Sequence, residues 1–315
     1  MTSAAPLPDV AAFLAMLARL DGPTSRALGP EAARRQMREA MPLVDLPAGP
    51  LGEMRDLAIP GPAGSIPARL FDSRAERGPC PVLLFLHGGG WVLGDLDTHA
   101  PLCATIARAL DVPVVSIDYR LAPEHPYPAA PDDCEAAARW LASSPPELGR
   151  AASALILAGD SAGGALAIVT AMALRDEPAR VPLKALWAIY PAVDAAHLYP
   201  SFTRFADAYG MSRDSMDWFA QCYAADLDHW RGAPIKGVLA GLPPTIVLTA
   251  ELDPLVDQGR AFAAACVQAG VETLYREARG TIHGFTSMRK VLPSAAIEVD
   301  RALEALTVML ADDAA

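Results

Sequence analysis

Residues 154–174 restrict this chain more than any other stretch. Ala154-Leu155-Ile156-Leu157-Ala158 is a short apolar run with the length of a buried strand. Ala165-Leu166-Ala167-Ile168-Val169-Thr170-Ala171-Met172-Ala173-Leu174 is Ala-rich and long enough for a buried helix. Between them stands Gly159-Asp160-Ser161-Ala162-Gly163. A strand that turns sharply into a helix with a serine at the apex strains its backbone, and side chains two positions either side must be absent. Glycines at 159 and 163 supply that room. The helix N-terminus then aims free N–H groups at whatever Ser161 attacks. A glycine-rich turn without chemistry satisfies the same pattern taken alone, so the partners of Ser161 decide between the two.

Similar apolar runs recur at 82–86, 112–117, 183–189 and 245–249, with helical stretches at 98–110, 132–142, 163–175 and 254–269. Uniformly apolar strands alternating with helices predict an α/β fold, a mostly parallel sheet covered by helices on both faces. A strand at 272–277 and a helix at 292–311 close the chain. Ahead of this core, Val10, Phe13, Leu14, Leu17 and Leu20 form one stripe of a helix over 9–21, with Asp9 as its N-cap. A second, more polar helix starts at Pro30 and runs to Met41. Strands at 52–59 and 65–72, joined through Pro60-Gly61-Pro62-Ala63-Gly64, read as an antiparallel hairpin at a sheet edge. The fifty residues before 245 break the rhythm and are too long for an ordinary loop. They contain a helix that Ser212 caps. Residues 1–50 and 195–235 therefore read as a helical cap over the C-terminal edge of the sheet, where open α/β sheets bind ligands. Residues 51–194 and 236–315 read as the core.

The chain has 315 residues, 52% of them hydrophobic, enough for a sizeable core. A net charge of −11 argues against nucleic acid and anionic membrane as partners. Five cysteines (Cys80, Cys103, Cys134, Cys222 and Cys266) stand apart, without a C-x-x-C. They read as buried thiols of a reducing compartment, neither a disulfide frame nor a metal site. No segment has the length of a membrane span, and the apolar stretch at 13–18 lacks the basic flank of a signal peptide. The expectation is a soluble cytoplasmic protein.

A serine hydroxyl is a poor nucleophile until a base takes its proton, and the base needs an acid to orient it. In α/β-hydrolase order both follow the serine. His197 and His229 fall in the inserted stretch, whereas His283 follows the last strand at the correct sheet edge. Asp253 comes three residues after Ala250, on the turn before a helix that it could also cap with Pro254 in the first turn. Asp257 and Glu251 are its alternatives. Charge developing on a carbonyl oxygen needs preorganised donors. His87-Gly88-Gly89-Gly90-Trp91 follows the strand at 82–86 and offers Gly88 and Gly89, with Ala162 after the serine as the third. His87 itself anchors the loop. Phosphate binding by this loop is disfavoured, because no G-K-[ST] follows it.

These blocks, together with Asp118-Tyr119-Arg120-Leu121-Ala122-Pro123-Glu124-His125-Pro126, Asp253-Pro254-Leu255-Val256-Asp257 and His283-Gly284-Phe285, resemble the bacterial hormone-sensitive-lipase-like carboxylesterases of the GDSAG subgroup. The resemblance implies an α/β-hydrolase fold with a helical cap and cofactor-free, metal-free hydrolysis of short- to medium-chain acyl esters. It maps the nucleophile, acid and base to Ser161, Asp253 and His283, and the oxyanion donors to Gly88, Gly89 and Ala162. It makes Tyr119, Arg120 and Glu124 a structural network. A homodimer through an edge strand is common in that family. Trp91, Phe205, Tyr209, Met211 and Phe219 are candidate substrate contacts. Phe202, Met216 and Trp218 either join them or pack the cap on the core. The stretch Gly232-Ala233-Pro234-Ile235-Lys236-Gly237-Val238-Leu239 departs from the family's Ser-Pro-Leu-like pattern, leaving the path out of the cap open. An amidase or lactonase on the same residues, and a non-catalytic binding protein of this fold, are the competing readings.

Overall fold

A computed structural model describes residues 5–20, 22–207 and 209–312. Its strands are β1 (Glu53–Gly61), β2 (Gly64–Asp72), β3 (Cys80–Leu86), β4 (Val114–Ile117), β5 (Ala152–Asp160), β6 (Leu183–Ile189), β7 (Thr245–Leu252) and β8 (Thr273–Ile282). Its helices are α1 (Pro8–Leu17), α2 (Ser25–Leu28), α3 (Pro30–Val44), α4 (Leu96–Leu110), α5 (Ala129–Ala142), α6 (Ala162–Asp176), α7 (Pro200–Phe205), α8 (Arg213–Tyr223), α9 (Val256–Gln268) and α10 (Pro293–Asp312).

The strands form one sheet in the order β1-β2-β4-β3-β5-β6-β7-β8. The β1–β2 and β2–β4 pairings are antiparallel, and every pairing from β4 through β8 is parallel. The central strands are buried on both faces because helices cover both. Leu155 and Leu157 join a core layer with residues of α5, α6 and α9, whereas Ile156 and Ala158 face a second layer with α1, α4 and α10. That alternation is the period of two written into an apolar strand. It puts the C-terminal ends of β3, β5, β7 and β8 on one edge of the sheet.

Several elements differ from the sequence reading for identifiable reasons. Asp9 does not cap α1, whose N-cap is Leu7. One Asp9 oxygen accepts from Ser294 N–H at the start of α10, 2.8 Å away, so it caps a helix distant in sequence. Leu20 is exposed beyond the end of α1, and residue 21, where the reading ended that helix, lies outside the described residues. Strand β8 runs five residues past the expected end. Its polar residues Arg276, Glu277 and Arg279 hide an edge strand whose apolar partner face is only on one side. Helix α9 begins at Val256, with Leu255 as its N-cap, so Pro254 precedes it. Cys103, Cys134 and Cys266 are buried, while Cys80 and Cys222 are half-exposed, all as free thiols. The departing stretch turns through a short 3-10 helix at Pro234–Lys236, pinned by Ile235 N–H to Val193 O at 3.3 Å. Among the described residues no helix is long and apolar enough to cross a membrane.

Candidate active site

Ser161 sits between β5 and α6 with φ 55° and ψ −117°, a conformation that costs a serine about 1–3 kcal/mol. The surroundings enforce it. Ser161 N–H donates to Ile189 O of the neighbouring strand (2.8 Å), and its own carbonyl accepts from Ala192 (3.2 Å). The turn is so close to β3 that a Cβ on Gly163 would lie 1.9 Å from Leu86 O. Glycine at 163 is therefore a packing requirement here, not a matter of flexibility.

Two hydrogen bonds join Ser161 to the opposite end of the sheet edge. Ser161 Oγ lies 2.8 Å from His283 Nε2, and His283 Nδ1 lies 2.7 Å from Asp253 Oδ2. A carboxylate only accepts, so Nδ1 carries the hydrogen and the bare Nε2 accepts from the serine hydroxyl. Asp253 is fully buried, and its other oxygen accepts Leu255 N–H at 2.8 Å. Burial pulls the His283 imidazole toward neutrality, but the charge and hydrogen bond of Asp253 outweigh it and hold its pKa above the ordinary 6.5. Asp257 and Glu251 are engaged elsewhere. Asp257 accepts from Ser201 N–H (2.9 Å) and pairs with Arg260 (2.7 Å), while Glu251 accepts from Gly280 N–H (2.8 Å).

The glycine loop after β3 requires a correction. Gly88 N–H is not free: it donates to Asp160 Oδ1 at 2.8 Å. Asp160 is buried and pairs with buried His99 at 3.2 Å. Burial opposes both charges, yet each partner favours the other's. Asp160 lies below the usual carboxylate range and His99 above the usual imidazole value. The ion pair thus clamps Gly88. Gly89 and Gly90 N–H make no hydrogen bond among the described residues, and Gly90 lines the same cavity as Ser161 and Ala162. Gly90 stands in the same glycine run as the two expected donors, Gly88 and Gly89. His87 stacks on Tyr119 with ring centres 4.3 Å apart, and burial pulls it down to about 4, so it is neutral. Tyr119 O–H donates to His87 O (2.7 Å), Arg120 pairs with Asp133 (2.8 Å) and Glu124 with Arg34 (2.7 Å).

The cavity over Ser161 has a volume of about 340 Å³. Of the expected contacts, Trp91, Met211 and Phe219 line it, and so do Phe202 and Met216. Phe205 and Tyr209 do not. Phe205 is buried in the α1–α4–α10 core layer with Tyr209 packed edge-on against it at 5.6 Å. An aromatic at helical spacing gave no sign of which way it would face. Trp218 is likewise a core residue. Wall residues that the sequence did not single out include Asp194, Leu198, Tyr223 and Gln258. Beyond the site, Arg289, six residues after His283, makes a bidentate ion pair with Asp45 at the end of α3 (2.8 and 2.7 Å), both side chains buried.

Residues 83–287 match the model of a family described as the alpha/beta hydrolase fold. The esterase LipI of Mycobacterium tuberculosis is 39% identical over 293 residues, covering 90% of this chain and 89% of its own. The chain belongs to the alpha/beta hydrolase family. Within it, the chain is a bacterial hormone-sensitive-lipase-like carboxylic ester hydrolase. An ethyl acetate hydrolase of Pseudomonas putida is 37% identical, covering 95% of this chain and 98% of that protein. Among solved structures, the ester-hydrolase EH1AB1 from the metagenome of Lake Arreo, complexed with a derivative of bipyridine phosphonate, has a TM-score of 0.91. It is 36% identical and covers 98% of this chain and all of its own.

Proposed function

We propose that this carboxylic ester hydrolase works on short- to medium-chain acyl esters with Ser161 as nucleophile, His283 as base and Asp253 as the orienting acid. The observation that carries the reading is the unbroken pair of hydrogen bonds from Ser161 Oγ through His283 to buried Asp253. His283 takes the serine proton as Oγ attacks the ester carbonyl. The N–H groups of Gly89, Gly90 and Ala162 receive the developing oxyanion. This replaces Gly88 as a donor, because its N–H is held by Asp160. His283, now protonated, gives the proton to the leaving alcohol. Water then repeats the sequence on the acyl-enzyme.

A cavity of about 340 Å³ is at the small end of ligand pockets, roughly 300–1,000 Å³, which supports short acyl groups. The ethyl acetate hydrolase relative points the same way. Of the expected cap, 1–50 and 195–235, helices α2 and α3 act with α7 and α8 over the core at 51–194 and 236–315, while α1 packs in the core layer of α4 and α10. The Arg26–Asp214 ion pair between α2 and α8 (3.0 Å) and the stacking of Trp91 on Tyr223 (4.3 Å) support that division. Five free cysteines support residence in a reducing compartment such as the cytoplasm. The test is an acyl-length series of p-nitrophenyl esters on purified protein, with Ser161→Ala as control. Turnover is expected to peak at short chains and vanish in the variant. Turnover retained by Ser161→Ala would refute the assignment.

A further inference from the structure

Gln258 stands in the first turn of α9 and lines the cavity beside Asp194 and Leu255. It is only 5% exposed. Its carboxamide oxygen accepts two main-chain N–H groups, from Val193 at 2.8 Å and Asp194 at 3.0 Å. Peptide N–H groups only donate, so the atom facing them has to be the oxygen, and the amide is fixed in one of its two orientations. The NH2 is turned to the other side. It has no hydrogen-bond partner among the described residues, and the side chain it belongs to lines the cavity. The anchoring segment is the one that leaves β6 and touches Ser161: Ala192 N–H donates to Ser161 O, and Val193 follows. The donor is therefore held rigidly beside the nucleophile, in a wall otherwise made largely of Phe202, Met216 and Phe219.

Other polar groups on the wall do not duplicate it. The Asp194 carboxylate is already occupied by Ala196 and His197 N–H on one oxygen and by Tyr199 O–H on the other. His197 and Arg213 are exposed, where water competes for them. The Tyr223 hydroxyl can donate or accept and so does not discriminate, whereas the Gln258 amide can only donate.

We propose that Gln258 is a specificity-determining residue: its amide selects esters bearing a second oxygen acceptor (ether, hydroxyl or carbonyl) over their hydrocarbon isosteres. The proposal deepens the esterase reading and rests on it. An acceptor satisfies a buried donor that a methylene leaves unpaired.

The test compares kcat/KM for two matched pairs in which one methylene is exchanged for an ether oxygen. On the acyl side these are p-nitrophenyl pentanoate and p-nitrophenyl methoxypropanoate. On the alcohol side they are butyl acetate and methoxyethyl acetate. Intrinsic reactivity differences cancel when the oxygen-to-hydrocarbon ratio is compared between wild type and variant. Gln258→Glu keeps the oxygen that Val193 and Asp194 require but removes the donor; Gln258→Met removes both and keeps the length. The ratio is expected to fall roughly tenfold in Gln258→Glu on one pair, which also tells whether the acyl or the alcohol side meets the amide. Ratios equal to wild type on both pairs would overturn the proposal, as would a uniform loss on all four esters. Ser161→Ala in the same assays separates the two failures. Unchanged ratios with an inactive Ser161→Ala sink only the Gln258 assignment, whereas an active Ser161→Ala sinks the esterase reading itself.

Discussion

The floor and the roof of the cavity are built on different physical terms. On the floor, Ser161, Asp253, Asp160 and His99 are buried and bonded to specific partners, and Ser161 keeps an unfavourable φ because β3 and β6 leave it no alternative. The roof is made of α7, a helix of six residues, and α8, with Leu198 74% exposed and its ion pair to Arg26 in solvent. The floor fixes atoms by specific hydrogen bonds; the roof supplies apolar surface that many substitutions could replace. Chemistry is thereby separated from apolar fit, whereas the polar discrimination proposed for Gln258 stands on the rigid side, anchored by Val193 and Asp194. Floor and roof press closely together where Phe219 of α8 occupies the space a Gly90 side chain would need: a Cβ there would lie 2.3 Å from its ring, at φ +62°.

The sharpest way to break this contrast is on the floor. Ser161→Ala is expected to lower kcat by about 10⁶ with the melting temperature little changed; a loss of only a few-fold would mean the floor is not where bonds are made. Asp253→Asn should cost about 10⁴ in kcat. In wild type Asp253 outweighs burial and raises His283, so activity fails as pH falls through a value above 6.5. Without that charge burial prevails, so the acid limb of the kcat/KM profile should move to lower pH; an unmoved limb would contradict the electrostatic role. Gly90→Ala tests the meeting point. A loss of about 10²–10³ in kcat is expected, because it displaces a proposed oxyanion donor and pushes Phe219 away. Phe219→Ala, which only opens the roof, should spare most of that.

Asp160→Asn probes the clamp under Gly88 through stability. Asp160 is depressed, so its contribution is complete above the ordinary carboxylate value of 3.8 and is lost as pH falls from there through the lower folded value; His99 is raised, so its contribution is complete below 6.5 and fades as pH rises through the higher folded value. The melting-temperature gap between wild type and variant should therefore be widest between about pH 4 and 6.5 and narrow above it. A gap independent of pH would rule out a charged pair. On the roof, Met211→Ala should change kcat/KM by about tenfold, far less than the floor variants, and shift the preferred acyl length by one or two carbons, since a methylene in an apolar pocket is worth about 1–3 kcal/mol.

Much of the floor was legible because its demands are local. The Gly159/Gly163 spacing, the glycine run and the apolar strands each state their own geometry within a few residues. What was not legible depends on groups brought together only by folding. The loss of Gly88 as a donor requires Asp160, seventy-two residues away. The true partner of Asp9 is at the far end of the chain, on α10. Phe205 and Phe219 are both aromatics of the inserted segment, and nothing in their spacing tells that one enters the core and the other the cavity.

The Asp45–Arg289 pair carries a consequence for the fold. A guanidinium sealed inside the body and left without its counter-charge is strongly destabilising. The stretch just past the imidazole loop is therefore tied to the end of α3: its buried guanidinium is neutralised only while Asp45 is seated against it.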